Sequence, residues 1–408
     1  MNRKRWISGL LLLGLVGFAP RLWADVEQAV PDDEEESPGP PAPAPEGEED
    51  QPKVKIFWKD GKTYFQMKDA ELRLSHRFQF RFNYLNPDDA VQLPGTERAG
   101  QGKGTFRIRR AKTTFEGWFW KPELTYEVQL NWAEPEAGAS TDKPLEDLYI
   151  NYDLLKNEAL QVRFGQYKVP LGRQENTTSI GLQFCDRSLL TFEFTRGRDR
   201  GVELWGRLAD KKVTWWAGMF NGNPASRTEN ENTKFQYNAR VAFEPWGSVG
   251  KSEGDFESKD HPLVAVAAQF ENNNLFGATG GLGGQGPSDL DTTIFGGDLV
   301  FKFKGFSLFG EYFHRSRRPE QGETYQSPGY NIQAGYFLVR NRLEVAFRYA
   351  GWDPTSLIDG NDRTEIGGVL NVFLRGHRFK FQADFRRLED KARDQTTQEL
   401  RVESYVGF

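Results

Sequence analysis

The chain has 408 residues, a formal charge of −5, 14% aromatic residues, one cysteine and a mean hydropathy of −0.67. Those values exclude a bundle of membrane-spanning helices, since past the N-terminal leader no segment approaches the ~20 apolar residues such a helix needs. They also exclude an intrachain disulfide, because Cys185 is alone, and the four scattered histidines (His76, His261, His314, His377) show no metal-ligand spacing.

Residues 1–24 read as an exported leader. A basic start, Met1-Asn2-Arg3-Lys4-Arg5, precedes a short apolar run and a small residue, Ala24, where cleavage is expected. A retained N-terminal membrane anchor is the alternative, but the run is short for a span and acidic residues follow at once. Residues 25–52 combine acidic runs with Pro38-Gly39-Pro40-Pro41-Ala42-Pro43-Ala44-Pro45, a composition expected of a disordered linker. Four of the 53 basic residues lie before residue 25, and eleven of the 58 acidic residues lie in 25–52. The remainder, 53–408, is therefore close to neutral with a slight positive balance. In 53–71, Lys59-Asp60-Gly61-Lys62 predicts a hairpin turn between two short strands on the periplasmic side.

From residue 72 the period is two. Leu72, Leu74, Phe78, Phe80, Phe82 and Tyr84 share one face; Arg73, Ser75, Arg77, Gln79, Arg81 and Asn83 share the other. That alternation outlasts the usual strand of about 5–6 residues. Similar runs are expected at 105–119, 123–132, 145–152, 159–165, 199–208, 211–221, 234–244, 262–271, 291–304, 305–315, 329–339, 342–350, 363–374, 377–388 and 398–408. Short turns at Lys121-Pro122, Ala209-Asp210, Lys304-Gly305, Arg340-Asn341 and Arg375-Gly376 alternate with long polar loops at 85–104, 133–144, 166–198, 272–290 and 351–362. The stretch 245–261 breaks the rule, being long and charged where a short turn belongs.

Trp118-Phe119-Trp120, Trp132, Trp215-Trp216, Trp246 and Trp352 fall near strand ends, as interface girdles do. The chain closes on Leu400-Arg401-Val402-Glu403-Ser404-Tyr405-Val406-Gly407-Phe408, an alternating strand ending in an aromatic residue. Tyr405 and Phe408 fit an assembly signal of bacterial outer-membrane barrels. The expectation is an all-β fold: a transmembrane antiparallel β-barrel over 72–408, of about 16 strands, with short periplasmic turns and long external loops. A soluble β-sandwich is the competing reading, but would not need so many long strands.

If apolar residues face lipid, their neighbours face the lumen. Arg73, Arg77 and Arg81 then form an inward column with steps of about 13 Å, at ~3.3 Å per residue. In 105–112 the phase shifts near Arg109-Arg110, as at a β-bulge, which brings Arg110 and Lys112 inward. Arg240, Arg348, Arg378 and Lys380 also point inward on this phasing. The loop 166–198 holds Lys168 and Arg173 and either folds into the barrel as a constriction or lies exposed outside. Guanidinium and ammonium donors replace the hydration that a confined anion loses. The same residues could instead only balance inward acids such as Glu127, Asp147, Glu344 and Asp384.

Several segments carry a resemblance. They are Phe106-Arg107-Ile108-Arg109-Arg110-Ala111-Lys112 with Phe115-Glu116-Gly117, Gly165-Gln166-Tyr167-Lys168-Val169-Pro170-Leu171-Gly172, Arg198-Asp199-Arg200-Gly201-Val202-Glu203-Leu204 and Gly218-Met219-Phe220-Asn221-Gly222. Together they resemble the phosphate-selective porin O and P family over 54–408. The resemblance implies a trimeric sixteen-stranded barrel whose arginine- and lysine-bearing lumen guides phosphate or polyphosphate. The expected function is passive diffusion of small anions, phosphate preferred, across the bacterial outer membrane. A general, weakly selective porin is the alternative, followed by a structural barrel or an enzyme built on one. His314 and Ser316 share a strand face, but no third catalytic partner and no nucleophile elbow is evident. The expected partners are inorganic phosphate or other small anions, outer-membrane lipid, the barrel-assembly machinery and two further copies of the chain. No nucleic acid and no cofactor is expected.

Overall fold

A strand with one face in lipid must find hydrogen-bond partners on both edges, because lipid supplies none. The chain meets that demand by closing its sheet. In the computed structural model, residues 54–87, 102–133, 144–223, 229–230, 232–279, 287–320 and 322–408 are described. The expected leader 1–24, the expected linker 25–52 and parts of several long loops lie outside them.

A hairpin comes first, β1 (Lys55–Lys59) and β2 (Lys62–Gln66). Its turn residues Asp60 and Gly61 have φ of 52° and 71°, the left-handed pair that tight hairpins demand. The long strands begin with β3 (Ala70–Pro87), β4 (Lys103–Phe119), β5 (Lys121–Asn131) and β6 (Leu145–Asp153). Next come β7 (Gln161–Lys168), β8 (Arg198–Leu208), β9 (Val213–Phe220) and β10 (Gln236–Phe243). The second half holds β11 (Leu263–Thr279), β12 (Pro287–Phe303), β13 (Phe306–Pro319) and β14 (Tyr325–Val339). It ends with β15 (Leu343–Trp352), β16 (Arg363–Phe373), β17 (Phe379–Asp390) and β18 (Gln395–Gly407).

Each strand from β3 to β18 pairs antiparallel with the next. β18 then pairs back onto β3, with Val402 opposite Phe82 and Val406 opposite Phe78. The result is a closed barrel of sixteen antiparallel strands without a free edge. The seam has an added feature. β18 occupies the edge of β3 only from Arg77 upward, and β2 occupies it lower down, from Glu71 to Leu74. Two strands placed end to end thus make one stave.

Lipid-side positions stay apolar and exposed, as at Phe80, Phe106, Ile108, Phe295, Ile332, Phe347 and Phe385. Among the described residues no helix is long and apolar enough to cross a membrane. Strand limits differ from expectation mainly at the long-loop end. The stretch read as loop 272–290 is largely strand, because β11 and β12 continue to Thr279 and Pro287. There the ladder carries polar residues on both faces. Asn272 donates to Thr293 Oγ1 at 3.1 Å and Asn274 to Asp291 at 2.5 Å. Above the lipid the pairing continues while the apolar alternation that marks a strand in sequence disappears.

Candidate functional site

The inward faces are not open along their whole circumference. The connection 169–197 between β7 and β8 folds into the barrel. It carries the short helices α1 (Arg173–Asn176) and α2 (Leu189–Phe194). Its Leu171, Leu190 and Phe194 pack on Phe220, Ile294, Phe313 and Trp352, which are inward residues of the wall. Phe184 is fully buried against Ala346 and Val369, with the Arg348 guanidinium 4.0 Å from its ring centre. These apolar inward residues have no place in a water-filled lumen. They make a core for the loop, so of the two placements open for it, the inner one is observed.

The loop is tied to the seam by Asp186. Its carboxylate accepts from Arg109 at 3.1 Å, Arg110 at 3.2 Å and Arg401 at 3.4 Å, and also from Arg81. Burial alone would raise this carboxyl, but the surrounding guanidiniums hold it well below the usual range. Arg81 donates further to Glu403 at 2.7 Å, and Arg401 grips Asp384 with two bonds of 2.7 Å.

Among the described residues, a cavity of about 630 Å³ lies inside the barrel between the loop and the wall from β3 to β8. The bulge expected near Arg109-Arg110 shapes its side. Gln79 pairs with Arg110 and the adjacent Phe80 with Ile108, so Arg109 is the extra residue. The phase flips there, and Arg110, Lys112 and Thr114 turn inward while Phe106 and Ile108 stay on the lipid face. Eleven lysines and arginines line the cavity against five aspartates and glutamates.

Of the residues expected on an ion path, Arg77, Arg110, Lys112, Lys168 and Arg378 line this cavity. Arg77 donates to Thr114 at 3.3 Å. Lys112 donates to Gln129 at 3.2 Å and pairs with Glu146. Lys168 donates to the Glu175 carbonyl at 2.5 Å, and Arg378 lies 3.6 Å from Asp60 of the hairpin turn. Arg73 sits nearer the short-turn end, 3.5 Å from both Glu71 and Glu116.

The other expected path residues are placed differently. Arg81 is consumed by Asp186 and Glu403, as described. Arg173 and Arg240 both hold Asp298, at 2.7 and 2.5 Å. Arg348 donates to Gln333 at 2.9 Å and Glu365 at 3.2 Å, and Lys380 donates to the Leu182 carbonyl at 3.0 Å. Arg81, Arg240, Arg348 and Lys380 face inward as expected, but the folded-in loop covers them; together with Arg173, which the loop itself carries, they brace loop and wall. The column Arg73, Arg77, Arg81 is therefore not one continuous ladder along the cavity.

Arg187 and Arg198, which are among the cations of the loop 166–198, line it too, as do Arg163 and Lys251, which sequence reasoning did not single out. The Arg163 guanidinium lies 4.8, 5.0 and 5.3 Å from the rings of Tyr149, Trp205 and Tyr167. Arg187 donates to the carbonyls of Gln174, Glu175 and Thr177 at 2.8–3.0 Å, which fixes its head group. Arg198 grips Asp147 with bonds of 2.9 and 2.7 Å. Arg163 was within reach of the period-two pattern, since Gln161, Arg163 and Tyr167 alternate inward along β7. At the seam, Tyr405 is buried, and the Phe408 ring packs tilted against those of Phe78 and His76, with ring centres 5.8 and 5.5 Å apart. No group of three or more acidic, histidine or cysteine residues able to hold a metal occurs among the described residues.

Solved structures share the architecture. An anion-selective porin from Comamonas acidovorans aligns with a TM-score of 0.57 at 14% identity, over 83% of this chain and 100% of that one. OmpT, an outer-membrane protein of Vibrio cholerae, aligns with a TM-score of 0.55 at 9% identity, over 87% and 100%. The outer-membrane channel DcaP of Acinetobacter baumannii aligns with a TM-score of 0.55 at 10% identity, over 83% and 98%. A comparison with curated proteins found no match. The family model for phosphate-selective porins O and P matches residues 78–346, two thirds of the sequence and most of the barrel wall. With a closed sixteen-stranded barrel, a folded-in constriction loop and that match, the chain belongs to the phosphate-selective porin O and P family of bacterial outer-membrane channels.

Proposed function

We propose that the protein lets small anions, inorganic phosphate preferred, diffuse passively through the cavity between the loop 169–197 and the wall β3–β8. One observation carries the reading: the excess of eleven basic over five acidic side chains around that cavity. A narrow passage costs an ion part of its hydration, and fixed guanidinium and ammonium donors offset that loss for anions alone. Several moderate sites in series favour exit as well as capture. Arg77, Arg110, Lys112, Lys168 and Arg378 supply such sites, with Arg163, Arg187 and Arg198 beside them. In this reading the short-turn end faces the periplasm, the leader is cleaved near Ala24, Tyr405 and Phe408 address the barrel to the assembly machinery, and three copies associate.

A general, weakly selective porin is the second reading. It is favoured by the carboxylates that accompany the cations, notably Glu146 with Lys112 and Asp147 with Arg198. A planar-bilayer measurement separates the two. In a potassium chloride gradient the reversal potential should report chloride as the more permeant ion, and added phosphate should reduce chloride current. A cation-preferring reversal potential overturns the anion reading. Chloride current indifferent to excess phosphate overturns only the preference for phosphate.

A further inference from the structure

The connection between β10 and β11 is the one that was too long for its place. It also folds into the barrel, from the end opposite the loop 169–197. Val249 is buried among Leu263, Ala265, Val300 and Phe309, so the inner wall here is apolar and covered. Lys302 donates to the carbonyls of Val249 and Ser252 at 2.7 and 2.6 Å, and Asp255 accepts from the Gly305 amide at 2.7 Å. The two inward segments then meet at Glu253. Its Oε1 accepts from Gln174 at 2.7 Å, and its Oε2 accepts from the Gln183 amide at 2.8 Å and from Gln333 at 2.9 Å. Its own amide donates to the Gly181 carbonyl at 2.8 Å. A Cβ on Gly181 would lie 2.5 Å from the Lys251 carbonyl, so the backbones approach as closely as glycine allows. The space left beside this contact is only about 20 Å³.

We infer that the connection 244–262 is a second constriction element, and that Glu253 is the positioning residue that latches it to the loop 169–197. The latch closes one half of the lumen and confines passage to the β3–β8 side. The same segment delivers Lys251 to the lining of the remaining cavity. One buried carboxylate facing three donors is a demanding arrangement. Remove it and the Gln174 amide and the Gln183 N–H lose this acceptor inside the barrel, while the Gln333 amide keeps only the Gln183 side-chain oxygen at 2.6 Å. The inference deepens the porin reading, yet its main readout is the size of the passage and not the sign of the ion.

The test is single-channel recording of the full-length protein in potassium chloride, with neutral polymers of graded size. Glu253→Ala should raise conductance about twofold, as the closed half of the lumen opens. It should also admit larger polymers and lower the chloride-to-potassium permeability ratio. Glu253→Gln, which keeps a carbonyl acceptor, should recover part of the wild-type conductance. Gln174→Ala should shift conductance in the same direction from the other side of the latch. Lys251→Gln leaves the latch intact and should weaken block of chloride current by phosphate. A heat-modifiable, folded Glu253→Ala barrel with wild-type conductance and polymer cut-off overturns the inference. Should that variant yield no folded barrel, a folded Gln174→Ala channel with wild-type conductance and polymer cut-off overturns it equally. A cation-preferring wild-type channel that widens in Glu253→Ala would refute the anion reading and leave the latch standing.

Discussion

Replacing Asp186 with asparagine removes one negative charge from the contact between the inner loop and the seam while keeping its shape. Four guanidiniums face that carboxylate, those of Arg81, Arg109, Arg110 and Arg401, the last at 3.4 Å. The side chains of all five residues are at most 12% exposed, so solvent screens the group weakly. Breaking a buried ion pair costs about 3–5 kcal/mol, against about 1 kcal/mol for an ordinary neutral hydrogen bond. The asparagine oxygen still accepts from one or two of the arginines, so we expect the lower end, about 3 kcal/mol. Urea unfolding in liposomes, followed by tryptophan fluorescence, reads that loss. Selectivity should move the other way. Arg109 and Arg110 line the cavity, and without Asp186 more of their charge is felt there, so chloride should gain on potassium. An unchanged unfolding midpoint, or a shift toward potassium, would refute the electrostatic account of the loop's attachment.

Lys112→Glu places a carboxylate beside Glu146 and Gln129 at the centre of the cavity wall. The reversal potential should move toward potassium and block by phosphate should weaken at least tenfold, about 1.4 kcal/mol. Gly117 lies in β4 opposite Leu72, and a Cβ there would sit 1.8 Å from the Glu71 carbonyl. Gly117→Val should therefore prevent the β3–β4 ladder and leave no heat-modifiable barrel on a gel. Phe408 exchanges two backbone hydrogen bonds with His76, at 2.5 and 3.0 Å. Deleting it should slow formation of the folded barrel in detergent, measured as the rate at which the compact band appears, with little change in conductance once folded.

Fold was legible because its determinant is local. Leu72, Leu74, Phe78, Phe80 and Phe82 announce a lipid face by spacing alone, and the same rule recurs along the chain. Even the bulge at Arg109 showed, since two successive inward arginines violate period two. The site was legible only in part. Arg348 and Arg110 read alike in sequence, each a basic residue on an inward face. One ends beneath Phe184, bonded to Gln333 and Glu365, and the other borders the cavity. Arg240 and Lys380 share that inward spacing and are likewise covered. No periodicity marks which stretch of wall a distant loop will occupy.

The sequence by itself therefore determined the sheet, its closure and the side on which charge collects, because alternation in a strand reports directly on lipid against water. Only the tertiary structure decided which charges are spent. Asp186 meets Arg401, and Glu253 meets Gln174 and Gln333, across 215, 79 and 80 residues of chain. Two connections fold inward from opposite ends, and the struts at Arg81, Arg240, Arg348 and Lys380 take those cations out of the passage. Those pairings rest on geometry that exists once the barrel has closed, and that geometry has no signature in any single segment.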